Sequence, residues 1–380
     1  MWHKVNYNGE TQMSERVMVV EEPIYSIDSV EKSIRQIFKE LNIYELLKEK
    51  RTILVKPNLL GAHNPDKAVT THPVVLEAVL RLLQELDKEV VVGDSSGGTV
   101  KAEQVWEKTG LKAVCQKYEV RLLDLGSEGI STIKTDLKTL NLSKAAVEWD
   151  GIINLAKMKT HSLMLYTGAV KNLFGCIPGL GKSDLHKLFP SPDRFALILT
   201  KIYELLRGKI ILNIIDGIVG MDGDGPSAGR PYPFGILIAS KSASAADLVC
   251  SKLMGFKLGQ LKYLQDSLKL DNLREDEIVI DEKWKNFKYP NVKIKSVIFS
   301  NNMLNSMPRF VKIVINLAFS YYPKFPKKCK MCLMCVKCCP VKALQDKDNR
   351  IVLDKNKCIK CMCCHEMCPY SLIAFKRKLF

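Results

Sequence analysis

The chain has 380 residues, 47% hydrophobic and 26% charged, which is an ordinary balance for a folded protein of two or three domains and excludes disordered, collagenous and fibrous classes. Its net charge of +16 is uneven: from Ser306 onward there are 16 basic and 4 acidic residues, against 41 and 37 before it. No run reaches the roughly 18 apolar residues of a membrane span, the longest being Ile313 to Tyr322, and the polar Met1–Glu10 stretch has no signal-peptide core, so a cytoplasmic location is expected.

Taken in chain order, Arg16–Val20 and Thr52–Lys56 are β-branched runs that predict strands, and Ser29–Lys50 between them spaces its apolar residues helically. Pro73–Leu86 predicts a helix opened by a proline, whose missing N–H costs nothing there. Glu89–Val92 predicts a strand, followed by a helix ending near Gly110. Gly151–Leu155, Lys209–Ile215 and Phe234–Ala239 read as strands, and Ser191–Arg207 and Ala243–Met254 as helices. The alternation predicts an α/β domain over residues 1–305, built on a largely parallel sheet. Residues 306–325 predict a linker helix packed on that domain, favoured over a membrane-surface helix and stopped by Pro323 and Pro326.

Polar residues gather where the predicted strands end, the place where open α/β sheets bind ligands. The runs are Lys56-Pro57-Asn58, leading to Thr70-Thr71-His72; Asp94-Ser95-Ser96-Gly97-Gly98; Lys157-Met158-Lys159-Thr160-His161; Lys171-Asn172; and Asp216, followed by Asp222-Gly223-Asp224-Gly225. Together they predict a composite pocket for an anionic small molecule. Lys56, Asn58, His72, Asp94, Ser95, Gly97, Gly98, Lys157, Thr160, Asn172, Asp216 and Asp222 are its expected binding residues. Lys159, Lys171 and His161 are the expected proton donors. A helix opening near His161 would add backbone N–H groups. The blander reading is solvated lysines beside a packing histidine. The Asp94 loop reads equally well as a phosphate cradle or a plain strand-to-helix turn. Asp216, Asp222 and Asp224 read as turn formers rather than cation ligands. Cys176 reads as an inert buried thiol.

These runs, above all Lys157–His161, Thr167–Gly175 and Asp216 with Asp222–Gly225, resemble the domain of unknown function 362 family over about residues 15–305. The resemblance brings no settled reaction, but fusion to a two-cluster ferredoxin is common in that family.

Ten of the 13 cysteines lie between Cys329 and Cys368. Cys329, Cys332, Cys335 and Cys339 read C-x2-C-x2-C-x3-C before Pro340, and the pattern recurs 29 residues later as Cys358, Cys361, Cys364 and Cys368 before Pro369. Clustered thiols without an export signal point to metal rather than disulfides. Duplicated runs of four fit zinc, which usually takes two C-x2-C pairs, poorly. The pattern resembles bacterial two-cluster ferredoxins over residues 326–380, which implies a small α+β module with two [4Fe–4S] clusters and crossed fourth ligands. One cluster would take Cys329, Cys332, Cys335 and Cys368, and the other Cys358, Cys361, Cys364 and Cys339. Cys338 and Cys363 are left over and read as packing around the clusters. The expected function is a ferredoxin-fused oxidoreductase that delivers single electrons to the anionic molecule in the first domain. The alternative is a pure electron carrier whose large domain docks or regulates, so whether the chain is an enzyme stays open. The basic tail suits an acidic redox partner. It lacks the interleaved aromatic and basic residues of a nucleic-acid module, so no nucleic acid is expected.

Overall fold

The computed structural model describes residues 4–5, 11–12, 14–97, 100–179, 181–294 and 321–377. Its centre is a nine-stranded sheet whose main path runs Met18–Glu21, Ile236–Ser240, Ile210–Asp222, Gly151–His161, Thr52–Pro57, Glu89–Asp94 and Arg121–Asp124. The last five of these are mutually parallel, and Ile236–Ser240 turns antiparallel. Parallel strands are buried on both faces and read as continuous apolar runs. That is why Ile53-Leu54-Val55, Val90-Val91-Val92 and Ile152-Ile153 could be seen from sequence.

Two hydrophobic cores lie against the sheet. One is packed by helices Ile27–Glu40 and Pro73–Glu85 through Val30, Ile34, Phe38, Val75 and Val79. The other is packed by helices Pro192–Leu206 and Ala243–Leu253 through Phe195, Ile198, Ala246 and Val249. Ser191 and Ser242 open the latter two helices by accepting from Arg194 N (3.4 Å) and Ala245 N (3.1 Å), satisfying N–H groups that a helix start leaves unpaired.

From Thr52–Pro57 the chain winds outward to Glu89–Asp94 and Arg121–Asp124. It then returns to the other flank as Gly151–His161, so the winding direction switches between these two central strands. A crevice at such a switch point is the usual ligand site of an open α/β sheet. The strand predicted over Gly151–Leu155 continues to His161, where Leu165–Thr167 folds back antiparallel. No helix opens at His161. The helical turn comes later, at Ala169–Asn172.

The expected linker helix is corrected at its end: Tyr321–Lys324 is a strand, paired antiparallel with Ala374–Arg377. Residues 306–320 lie outside the described residues, as do Gly98 and Thr99. The cysteine-rich module also holds the hairpin Leu344–Lys347/Arg350–Leu353 and two short helices, Met334–Lys337 and Cys363–Glu366. The 29-residue repeat is visible in the backbone. Left-handed residues recur at Met331 and Lys360, Leu333 and Met362, and Lys342 and Ser371. Cys339 Sγ accepts from Ala343 N (3.2 Å), as Cys368 Sγ does from Leu372 N (3.4 Å). Among the described residues, no helix is long and apolar enough to cross a membrane.

Candidate functional site

Two buried ion pairs form the base of the crevice. Lys56 Nζ lies 2.9 Å from Asp94 Oδ1, and Asp94 also accepts from Leu59 N (2.7 Å) and Ser95 N (2.9 Å). Gly175 crosses directly over this pair: a Cβ there would lie 1.9 Å from Asp94 Oδ1 and 2.6 Å from Lys56 Nζ. Lys157 Nζ lies 2.7 Å from Asp216 Oδ2 and donates to Tyr25 Oη (2.9 Å), which donates to Asp216 Oδ1 (2.9 Å). Asp216 also accepts from His72 N (3.0 Å). Burial pulls the Lys157 ammonium below its ordinary value, and Asp216 opposes that pull. His72 stacks on Tyr25 and its Nδ1 accepts from Val74 N, so it serves as a helix cap; burial brings its pKa down to about 4. With their charged atoms paired inside the protein, Lys56, Lys157 and Asp216 support the crevice.

Asp222 does not belong to the crevice. It is gripped by Arg230 through two hydrogen bonds (3.1 and 2.7 Å) and accepts from Lys293 N (2.9 Å). The strand pairing sets Asp222 opposite Arg230, so its role is to close a hairpin. Asp216 and Asp222 thus spend their carboxylates on different partners, Lys157 and Arg230. Among the described residues, no three His, Cys, Asp or Glu side chains draw together around a point as a bound metal ion requires.

A ladder of amides crosses the sheet beneath the crevice. Lys159 Nζ donates to Asn58 Oδ1 (3.0 Å), Asn58 to Asn172 (3.0 Å), Asn172 to Asn154 (2.8 Å) and Asn154 to Asn213 (2.9 Å); Asn213 ends on Ser240 O (3.2 Å). Lys159 also donates to Val69 O (2.6 Å). It has no carboxylate partner among the described residues, and burial with Lys171 and Lys157 nearby holds it well below the usual lysine range. Asp247 accepts from Ala169 N, Val170 N and Tyr166 Oη and so fixes the turn that carries Lys171 and Asn172; burial raises its pKa to about 7.

Above the ladder, a cavity of about 90 Å³ lies on the seam with the cysteine-rich module. Asn58, Asp94, Ser95, Gly97, Lys171 and Asn172, all expected pocket residues, line one side of it. Lys182 and His186 join them, and Cys338, Cys363, Glu366 and Met367 form the opposing wall. Lys171 has no hydrogen-bond or ion-pair partner among the described residues, and burial lowers its pKa against the pull of Glu366. Lys182 donates to Ser95 O, and burial brings its pKa to about 8. His161 lies just behind the cavity. Its Nδ1 accepts from Leu163 N (3.1 Å) and Met164 N (3.2 Å), which leaves the proton on Nε2, and burial holds its pKa well below the usual value. Nε2 stands 3.2 Å from Glu366 Oε1, but out of line for a hydrogen bond, so neither atom has one. Burial raises the Glu366 pKa. Thr160 Oγ1 is likewise buried without a partner, outside the cavity.

The seam is pinned at several points. Ser227 Oγ donates to Glu366 O (2.9 Å), Ser371 Oγ donates to Ser227 O (3.0 Å), and His365 Nε2 is 3.2 Å from Asp224 O. A Cβ on Gly97 would come within 2.7 Å of Met367 Sδ.

Within the module, Cys339, Cys358, Cys361 and Cys364, the four residues expected to share a cluster, line one cavity together with Cys363. Cys329, Cys335 and Cys368 share a small core with Leu344 and Ile351, and Cys339 and Cys364 pack against the same core. Burial, then neighbouring Cys329, Cys332 and Cys368, push the Cys335 thiol up to about 11. The clustered thiols are a soft donor set compatible with metal clusters, and among the described residues no three of their sulfurs converge on one point.

Tyr25, Lys182, His186, Asn213, Asp247 and Glu366 were not anticipated from sequence. The duplication did hold one clue, because Glu366 replaces the Lys337 of the first repeat.

The family model described as domain of unknown function (DUF362) matches residues 53–252. A thylakoid-associated protein of Synechocystis sp. is 31% identical over 245 residues, covering 64% of this chain and 75% of that protein. Two solved structures align in part. The lactate racemase apoprotein of Thermoanaerobacterium thermosaccharolyticum gives a TM-score of 0.40 at 15% identity, over 64% of this chain and 57% of its own. A Thermotoga maritima protein gives 0.39 at 14%, over 67% and 60%. This chain thus spans under two thirds of the length of either structure.

Proposed function

We propose that this chain, which belongs to the DUF362 family, is an iron–sulfur electron-transfer protein whose cysteine-rich module serves an anionic small molecule held in the seam cavity. The carrying observation is that Cys338 and Cys363, sequence neighbours of Cys339 and Cys364, wall the same cavity as Lys171 and Lys182. Cys329, Cys332, Cys335 and Cys368 would hold one [4Fe–4S] cluster, and Cys358, Cys361, Cys364 and Cys339 the other; such clusters supply one-electron transfer. Lys171 and Lys182 bind the anion, the second amide N–H of Asn58 orients it, Asn172 holds Asn58 in place, and the docked module excludes water from above. His161 holds a proton on Nε2 behind the cavity.

Anaerobically purified protein should contain about eight iron and eight sulfide per chain. Cys339→Ser and Cys368→Ser should each damage one cluster, while Cys338→Ser and Cys363→Ser keep the iron. About four iron, or stoichiometric zinc, would defeat the assignment.

The anion site has its own test. Phosphate or sulfate at 100 times its Kd should stabilise the protein by about 2.7 kcal/mol, read as a rise in Tm. Lys171→Ala should abolish that rise without loss of iron. The rise should also weaken as pH climbs through about 8, where Lys182 gives up its proton. An anion response unchanged in Lys171→Ala would leave the electron-carrier reading ahead.

A further inference from the structure

The two cysteine repeats share a backbone but not a surface. Matched at the 29-residue offset, the second repeat carries Ile359, Glu366 and Ser371 where the first carries Lys330, Lys337 and Lys342. Glu366 is buried at the seam, and Ser371 bonds across it to Ser227. Their counterparts Lys337 and Lys342 are exposed, as is Lys330. Two positions by which the second repeat meets the α/β domain, Glu366 and Ser371, are thus solvent-exposed lysines in the first, and Lys330 adds a third exposed charge.

Three further observations bear on that face. The sequence from Tyr321 to Gln345 contains six lysines and no acidic residue. Among the described residues, Lys327, Lys328, Lys330, Lys337 and Lys342 form no ion pair, so their charge is not spent internally. Cys332, set between Lys330 and Lys337, is the exposed member of the thirteen cysteines.

We propose that the Lys330/Lys337/Lys342 face of the first repeat is the docking surface for an acidic redox protein. This rests on the iron–sulfur reading above and adds a direction to it: the partner meets the first repeat, and the small molecule meets the second. In each encounter the partner is oxidised by one electron and this chain is reduced by one. Basic patches speed such encounters by steering, which salt screens.

The test uses the full-length protein and an acidic plant-type [2Fe–2S] ferredoxin as probe, with binding measured at low and high salt. Wild type should bind, and should release as salt rises. Lys330→Glu, Lys337→Glu and Lys342→Glu combined should weaken binding about tenfold or more, with iron content and the phosphate-induced rise in Tm unchanged. If the triple variant fails to fold, Lys337→Gln with Lys342→Gln carries the same expectation in smaller degree. Unchanged binding in a folded variant would overturn the proposal. So would a DNA duplex or anionic lipid vesicles that bind as tightly and lose as much, because the face would then serve polyanions in general. Anaerobically purified wild type that binds the ferredoxin through these lysines but contains no iron would sink the iron–sulfur reading while leaving the docking surface in place.

Discussion

Asp216→Ala should cost about 3–5 kcal/mol, the usual result of removing one partner from a buried ion pair. Lys157 and Asp216 are both fully buried and 2.7 Å apart, so the ammonium cannot turn to water once its partner is gone. Tyr25 Oη and His72 N lose their acceptor in the same step. The cost should be seen as a lower denaturant midpoint, and it should shrink at alkaline pH. In the variant the folded Lys157 sits far below the unfolded lysine value, so the unfolded chain binds the extra proton and stability rises with pH. Asp222→Ala is the control. Its partner Arg230 is half exposed and can be solvated, so about 1.5–3 kcal/mol is expected. Equal losses in the two variants would show that Lys157 finds another partner.

Gly175→Ala should be comparably damaging. The added methyl would occupy the space of the Asp94 carboxylate and the Lys56 ammonium, and neither can easily yield. Asp94 is held by Leu59 N and Ser95 N, and Ser95 N also bonds Gly175 O (3.2 Å). Overpacking alone costs about 1–3 kcal/mol, and prising the pair apart adds to that, so about 3 kcal/mol or more is expected. Because Asp94 and Gly175 both line the cavity, the phosphate-induced rise in Tm should vanish too. An unchanged midpoint would mean that the loop shifts at little cost.

The parallel sheet was legible because its strands are apolar on both faces. The central strand was read only to Leu155, because Lys157 and Lys159 interrupt the pattern. Their burial depends on Asp216, Asn58 and the Val69 carbonyl, which come from distant parts of the chain and leave no local mark. The crevice was legible as a set of strand ends, and six of its expected residues do line the cavity. Asp222 was misplaced because an Asp-Gly-Asp-Gly run looks alike whether it closes a hairpin or faces a ligand. Arg230, eight residues on, was the missing half of that reading. Glu366 and the cysteine wall lie far from the crevice in sequence, and only the docking of the module brings them there.

The amide ladder under the crevice bears on how the protein ages. Every rung both donates and accepts, and Asn213 fixes the sense of the whole series through carbonyls at the far end. Hydrolysis of one asparagine to aspartate leaves a carboxylate that only accepts. The next rung then offers an oxygen to an oxygen, and no flip of the remaining amides repairs the break. Asn154 and Asn213 are fully shielded from solvent and Asn172 nearly so. The fold thus withholds from these three side chains the water that would degrade them, and Asn58, which is partly exposed, is the rung where such damage should begin.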